Sequence, residues 1–408
     1  MKCRHCGSKL QLPFLDLGNA PPSNAYLTQE AVRAPEIWFP LRVLVCEICW
    51  LVQTEDHEGP EALFTKDYAY FSSFSTTWMA HSERYVEAMI QRFELNHQSL
   101  VVEVAANDGY LLQHVSQAGI PCFGIEPTFS TANVARGKGI EIVEQFFGVE
   151  LASELAGGGR LADLMIANNV LAHVPDINDF VSGFARLLKP QGLVTFEFPH
   201  LMQMVLENQF DTAYHEHYSY LSLTAVQRIF SVNGLAVFDV EELSTHGGSL
   251  RVYAQRSDTG TQVRGQRVSA MLDVEAKAGI KNTSFYREFQ RNAEQVKDDL
   301  VMFLIDAKRR GLKVCAYGAA AKGNTLLNFA GIRPDLLPYV VDKNPAKQSK
   351  YMPGSRIPIF NEAYLRTHRP DRILILPWNL SEEVIAQLAY VQEWGAEFVT
   401  AIPALRVQ

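Results

Sequence analysis

The chain has 408 residues, a length that points to two or three folded units at roughly 150 residues each and excludes a single small module. Hydrophobic residues make up 47% and charged residues 20%, so each unit can bury a core and a disordered chain is excluded. The 37 Lys and Arg stand against 45 Asp and Glu, a net charge of −8 with no basic block, which argues against a nucleic-acid partner.

The amino-terminal MKCRHCG lacks the apolar stretch of a secretory signal, and the apolar run LRVLVCEICWLV is too short for a bilayer and carries Glu47. A cytoplasmic protein with no membrane association is expected. Cysteines come next in the chain, as the pairs Cys3/Cys6 and Cys46/Cys49. A two-residue gap lets both thiolates of a knuckle face one tetrahedral ion. Structural zinc is the expected occupant, because disulfides are disfavoured in a reducing compartment and a redox motif needs one such pair opening a helix. Four protein ligands leave no open coordination position, so the ion's role is folding. The pairs stand 39 residues apart, wider than in common ribbons, and His5 and His57 are alternative ligands. Cys122 and Cys315 lie in apolar runs and read as core.

TTWMAHSERYVEAMIQRFEL has helical periodicity and ends before the strand-like LVVEVA. Strand and helix then alternate: a helix from Tyr110, strand PCFGIEP, a helix around Asn133, strand IEIVEQ, a helix near Glu150, strand ADLMIANN, helix DINDFVSGFARLLKP and strand GLVTFEFP. Such alternation gives a mostly parallel sheet covered on both faces. LAVFDVEEL and SLRVYAQRS, joined by THGG, are expected as antiparallel strands completing it. From Gln266 to Arg310 the sequence is helical and charged, with a break at Gly279 and Asn282, and reads as a connector. KVCAYGAAAKGN, LLPYVVD, RILILPW and EFVTAIP then supply strands of a smaller α/β unit, with EEVIAQLAYVQEWG as a helix.

Glu103-Val104-Ala105-Ala106-Asn107-Asp108-Gly109 closes the first of these strands and resembles the acidic-x-Gly-x-x-x-Gly loop of S-adenosylmethionine-dependent methyltransferases, where backbone approaches the ligand closely. Ala105 stands where that pattern has its first glycine. Glu126, roughly twenty residues on, ends the next strand, where a carboxylate accepts from both ribose hydroxyls. The GxGxxG of a dinucleotide site is missing.

Tyr214-His215-Glu216-His217-Tyr218 is dense in groups for proton transfer. On an extended segment Tyr214, Glu216 and Tyr218 share one face and His215 with His217 the other, whereas a tight turn lets both faces serve one pocket. Alternating histidines also suit a second metal, although no third acidic ligand with clear spacing accompanies them. His173 follows ADLMIANN at the carboxyl end of a strand, or is a helix-start histidine beside Asp176. The run from Tyr317 to Asn324 follows a strand and opens a helix, offering N–H groups and Lys322 to phosphate; it is no Walker loop.

With YAYFSSFS, ANNVLAHVPD, FDTAYHEHYSYLS, THGGSLRVY and YGAAAKGNTLLN in this order behind the cysteine pairs, the whole chain resembles the zinc-containing, S-adenosylmethionine-dependent sugar C-methyltransferases that act on nucleotide-linked 4-keto deoxysugars. The resemblance implies an α/β fold class in three parts. These are a zinc-binding module over 1–70, a Rossmann-like methyltransferase domain over 71–262, and a connector with a carboxyl-terminal Rossmann-like domain over 263–408 that contributes to nucleotide-sugar binding. It implies S-adenosyl-L-methionine as methyl donor, a structural Zn2+, and a dTDP- or GDP-linked 4-keto deoxysugar methylated at carbon 3 in branched-chain deoxysugar biosynthesis.

Carbon is a poor nucleophile until the proton beside the ketone is removed, so the site needs a base within about 3 Å and donors to the enolate oxygen. The resemblance implies His217 as that base, Tyr214 and Glu216 close to the sugar, His173 as a donor to the enolate oxygen, and Tyr70 at the sulfonium or the sugar. Glu216 alternatively orients the imidazole or takes the proton itself. The implied cofactor contacts are Glu103, Ala105, Asn107, Asp108, Gly109, Glu126, Asn168, Asn169 and Ser72. The implied substrate contacts are Tyr68, His246, Ser249, Arg251, Tyr317, Lys322 and Asn324, with Asp342 and Asn344 at the next strand end. The implied metal ligands are Cys3, Cys6, Cys46 and Cys49. Competing readings are an RNA or protein methyltransferase whose zinc module grips its partner, and a non-catalytic scaffold that binds the cofactor.

Overall fold

A computed structural model describes residues 1–57, 59 and 71–408. Tyr68 and Tyr70, read above as substrate and catalytic contacts, lie outside the described residues.

The amino-terminal strands β1 (Leu12–Ala20), β2 (Phe39–Val45) and β3 (Val52–Thr54) pair antiparallel. In β2 the period of two is plain, since Leu41, Val43 and Val45 are buried while Arg42 is exposed. The fourth strand of this sheet, β9 (Ser219–Tyr220), comes from within FDTAYHEHYSYLS and pairs Val52 with Tyr220 and Gln53 with Ser219.

The central sheet has seven strands in the order β10-β11-β8-β7-β4-β5-β6. Five of them, β4 (Val101–Val104), β5 (Cys122–Ile125), β6 (Glu141–Val143), β7 (Ala162–Asn168) and β8 (Leu188–Pro199), are parallel. The other two, β10 (Leu235–Leu243) and β11 (Ser249–Arg256), form the expected antiparallel hairpin. All four residues of β4 are buried, as for a parallel strand covered on both faces, and Glu103 is its polar exception. The order reverses between β5 and β7 across β4, which opens a ligand crevice at the carboxyl ends of these strands.

The connector is helical over Gln266–Ala278, Ser284–Arg287 and Phe289–Arg309, and it breaks at Gly279 with φ +96°. The final sheet runs β14-β13-β12-β15-β16-β17. Its strands β12 (Val314–Tyr317), β13 (Val340–Val341), β15 (Arg372–Ile375) and β16 (Glu397–Thr400) match the expected runs. The two-residue strands β14 (Ile359–Phe360) and β17 (Arg406–Val407) were too short to leave a periodic signal.

Cys3, Cys46 and Cys49 share an apolar cluster with Val102, Phe123 and Phe196 of the central sheet, whereas Phe14, Leu15 and Val43 pack with Phe289, Ala316 and Leu374. The amino-terminal sheet is therefore a wedge between the other two units. A segment leaving β1 extends the wedge over the last domain: Leu27 bridges to Tyr351, and Glu36 accepts the Gly354 N–H at 2.7 Å. Among the described residues no helix is long and apolar enough to cross a membrane.

Candidate active site and zinc centre

The four sulfurs of Cys3, Cys6, Cys46 and Cys49 lie within 4.8 Å of one another, and Cys3–Cys49 and Cys6–Cys46 each stand at 3.5 Å. A tetrahedral Zn2+ with Zn–S of about 2.3 Å sets neighbouring sulfurs about 3.8 Å apart, so the cage fits the ion. Both knuckles use one device. Gly7 and Trp50 follow the second cysteine of each pair with φ +73° and +62°, and their N–H groups donate to the carbonyls of Cys3 and Cys46 at 2.9 and 2.8 Å. His5 is no ligand, because its Nδ1 lies 2.8 Å from Asn178 Oδ1, and His57 stands 3.8 Å from Glu55. Between the first two cysteines Arg4 donates to the carbonyls of Pro175 and Thr54 at 2.9 and 3.0 Å and lies over the Tyr218 ring at 5.2 Å. The knuckle thus bears on the segment that carries the histidines.

At the cofactor loop, Ala105, Asn107 and Gly109 have φ of +59°, +49° and +72°. The left-handed backbone at Ala105 explains why the loop pattern has glycine there. At Gly109 the left-handed backbone favours glycine, and a Cβ there would also crowd Ala135 Cβ at 3.2 Å. Glu126 accepts the N–H groups of Asn107 and Thr128, both at 2.9 Å. Asn107 Oδ1 accepts the Ser72 N–H at 2.9 Å, and Asp108 accepts the Ser73 hydroxyl. Asp108, read above as a cofactor contact, therefore fastens the Ser72–Ser73 turn to the loop.

Burial raises the carboxyl of Glu103 well above its ordinary value, with the Tyr110 hydroxyl opposing and Asp108 and Glu126 adding to the rise. Burial also raises Glu126. Among the described residues the nearest ion-pair partner of this acidic trio is Lys138, 3.9 Å from Asp108. Asn168 and Asn169 each present a buried Oδ1 that has no hydrogen-bond partner. A crevice rich in buried acceptors and short of cations suits a ligand with an ammonium, a sulfonium and a ribose.

The run from Tyr214 to Tyr218 is built on a turn. The His217 N–H donates to the Tyr214 carbonyl at 2.9 Å, so the extended alternation is replaced by the tight-turn alternative. The Tyr214 and His217 rings lie close and tilted, 3.9 Å apart at 33°, and His173 meets His217 edge-on at 4.6 Å. His217 Nδ1 lies 2.8 Å from the Thr212 carbonyl, and His173 Nδ1 lies 2.9 Å from the Glu216 carbonyl. A carbonyl only accepts, so both rings carry their proton on Nδ1. Burial, then His173, with Lys322 and His246 also contributing, holds His217 well below its ordinary value. Burial brings His173 down to about 4. With its Nδ1 proton directed at the Glu216 carbonyl, the neutral His173 ring presents an acceptor at Nε2.

Other expected contacts divide. His246, with φ +54°, brings Nε2 to 3.2 Å from Asn169 Nδ2. Lys322 lies over the Trp378 ring at 4.4 Å and donates to Asn379 at 2.7 Å. Asn324 donates to the Ser23 carbonyl at 2.7 Å. Asp342 accepts the N–H groups of Ala319 and Asn344, both at 2.7 Å, and so shapes the loop before Lys322. Three residues are engaged elsewhere. Arg251 pairs at 3.0 Å with Glu197, its cross-strand neighbour, the Ser249 hydroxyl donates to the Thr245 carbonyl at 2.9 Å, and the Tyr317 hydroxyl meets Glu362 and Gln387 on the far face of β12. His215 faces the Pro40 carbonyl at 3.2 Å, away from His217, and the four-cysteine cluster is the only metal-ligand group found among the described residues.

Sequence reasoning passed over Asn24, whose amide donates to Glu216 at 2.6 Å, and the pair Asp211–Trp378 at 2.8 Å. Asp211 lay inside a motif already quoted for its histidines, but nothing local marked Asn24 or Trp378.

The order of the central sheet and the acidic crevice at its switch point define an S-adenosylmethionine-dependent methyltransferase, with a structural zinc site at its amino terminus. Three family models match along the chain: a domain described as zinc binding over residues 3–64, a methyltransferase domain over 78–240, and a C-methyltransferase C-terminal domain over 244–403. C-methyltransferase NovU of Streptomyces niveus is 35% identical over 406 residues, which cover 100% of this chain and 96% of that protein. The chain belongs to this C-methyltransferase family. A ubiquinone biosynthesis O-methyltransferase of Bordetella avium (strain 197N) is 35% identical over 101 residues, 24% of this chain and 41% of that protein. A magnesium protoporphyrin IX methyltransferase from Synechocystis PCC 6803, solved with its bound cofactor, superposes with a TM-score of 0.34 at 19% identity over 44% of this chain and 79% of its own.

Proposed function

We propose that the chain methylates carbon 3 of a nucleotide-linked 4-keto deoxysugar, dTDP- or GDP-linked, through an enolate, with His217 as the base, in the making of a branched-chain deoxysugar. The observation that carries this reading is the 2.8 Å contact of His217 Nδ1 with the Thr212 carbonyl, which puts the ring's lone pair on Nε2. An imidazole held well below its ordinary value is neutral at pH 7 and ready to accept a proton.

S-adenosylmethionine supplies the electrophilic methyl group. Glu103 and Glu126, with the loop 105–109 and Asn168 and Asn169, hold it beside the turn that carries His217. His217 Nε2 takes the carbon-3 proton, and the electron pair of that C–H bond passes into the enolate. So weak a base requires strong support for the forming oxyanion. The Tyr214 hydroxyl, on the ring tilted against His217, and the Lys322 ammonium are the donors for it. Asn24 donates to Glu216 at 2.6 Å and fixes that side chain as an acceptor for the sugar hydroxyls, which leaves proton removal to His217.

The test is mass spectrometry of products from a panel of nucleotide-linked 4-keto sugars with S-adenosylmethionine. A gain of one methyl group located at carbon 3 is expected. Methylation of RNA or protein with none of the sugars would overturn the reading.

A further inference from the structure

The turn Phe210–Thr212 gathers contacts from both large domains. Gln209 donates to the Gly247 carbonyl at 2.7 Å, and the Thr325 hydroxyl of the last domain donates to the Ala213 carbonyl at 2.8 Å. Between them Asp211, 0% exposed, accepts the indole N–H of Trp378 at 2.8 Å. The next carbonyl in the chain, that of Thr212, holds His217 Nδ1 at 2.8 Å. Trp378 also closes on the hairpin of His246, since a Cβ at Gly247 would stand 2.5 Å from its ring.

We propose that Trp378 and Asp211 are positioning residues through which the carboxyl-terminal domain aims the base of the methyltransferase domain. This deepens the proposed function and rests on its reading of His217. A hydrogen bond from a neutral donor to a buried carboxylate is directional and charge-assisted, so it fixes the Asp211 side chain rather than merely filling space. The Thr212 carbonyl then has one direction, and the imaging of that direction is the tautomer of His217: with the carbonyl in place the proton stays on Nδ1 and the lone pair on Nε2. Without the indole N–H the turn relaxes, the two tautomers mix, and a base displaced by a fraction of an ångström transfers protons poorly. The last domain is then part of the proton-transfer apparatus as well as a wall for substrate.

The experiment uses the full-length, zinc-loaded protein with labelled histidine side chains, so that nitrogen chemical shifts report each ring's tautomer. His217→Asn identifies the resonance by its loss. Wild type should show the Nδ1–H form, and Trp378→Phe, which keeps a ring against Lys322 and Gly247, should show a mixture. Asp211→Ala should match Trp378→Phe, Asp211→Asn should restore most of the Nδ1–H form, and adding Trp378→Phe to Asp211→Ala should change nothing further. If Asp211→Ala fails to fold, the Trp378→Phe and Asp211→Asn spectra still decide. An unaltered Nδ1–H tautomer in Trp378→Phe would overturn the proposal. With a methylated sugar in hand, Trp378→Phe should lower kcat about tenfold with S-adenosylmethionine affinity within about twofold of wild type. Wild-type kcat in His217→Asn would overturn the base reading instead, whatever the tautomers show.

Discussion

The Thr54 hydroxyl donates to the carbonyl of His217 at 2.7 Å. The last residue of β3 thus holds the backbone of the residue read as base, and the adjoining Thr54 N–H donates to the Tyr218 carbonyl at 3.1 Å. Because β3 begins two residues after Trp50, whose N–H closes the second cysteine knuckle at 2.8 Å, the zinc site and the turn of histidines are mechanically continuous.

Cys46→Ser should therefore lower metal content well below the expected value of about one equivalent and destabilise the amino-terminal sheet. Thr54→Val tests the link, since it removes the hydroxyl's bond to the His217 carbonyl, about 1 kcal/mol, with a longer contact to the Tyr220 hydroxyl, and leaves the metal in place. Metal analysis beside turnover should find full zinc and reduced turnover in Thr54→Val; wild-type turnover would show that the sheet only supports the fold.

Glu126→Ala should weaken S-adenosylmethionine binding tenfold or more, as losing hydrogen bonds to a charged group costs about 1.5–3 kcal/mol. Part of the effect will come through the loop, because Glu126 itself holds the N–H groups of Asn107 and Thr128 at 2.9 Å. Titration calorimetry measures the loss, and an unchanged affinity would place the ribose elsewhere.

His217→Asn should cut turnover by about 10²–10⁴ while both ligands still bind. Wild-type protein held in deuterated water with substrate and an unreactive cofactor analogue should exchange the carbon-3 proton, and His217→Asn should not. Retained exchange in His217→Asn, together with its loss in Glu216→Gln, would move the base to Glu216. Since His217 is held below the ordinary imidazole value of 6.5, the acid limb of the kcat/KM profile should fall below that pH.

The stability of the fold should carry a signature of His246, brought from 6.5 to about 4 by burial first and by Lys322 next. Its folded form binds the proton less well than its unfolded form, so its contribution is complete above about pH 6.5 and is lost as pH falls towards about 4. Asn tolerates the left-handed backbone at this position, which makes His246→Asn the suitable variant. Urea unfolding near about pH 7.5 and about pH 5 should show wild type losing more stability on acidification than the variant; equal losses would mean that His246 titrates normally.

Wherever the chemistry needs neighbours in sequence, the sequence was legible. The two-residue gaps of the cysteine pairs, the glycine-like loop from Glu103 to Gly109, and the run of buried parallel strands each depend on spacing or periodicity. The hairpin from Leu235 to Arg256 was legible for the same reason. Tyr214–Tyr218 was ambiguous because alternating polar and aromatic residues suit a strand as well as a turn, and the turn is held by Thr54 of β3, which is far away in sequence. The ion pair of Arg251 was not legible because its partner, Glu197, stands opposite on another strand. The contacts Asn24–Glu216 and Asp211–Trp378 form only when separate units close, and no local pattern encodes such meetings.

The pairing of β3 with β9 also bears on the order of events during synthesis. Thr54 and His217 are 163 residues apart in sequence, and a ribosome adding about 5–20 residues per second needs roughly ten to thirty seconds to cover that distance. For that interval β3 is an open edge, with its N–H and C=O groups unpaired on the side that β9 will cover. Zinc captured by the cysteine knuckles can fix the β2–β3 hairpin in the nascent chain well before its fourth strand arrives. Cells short of zinc should accordingly accumulate this protein as aggregate at the ribosome stage, before any shortage of methylated product could be traced to a folded but metal-free enzyme.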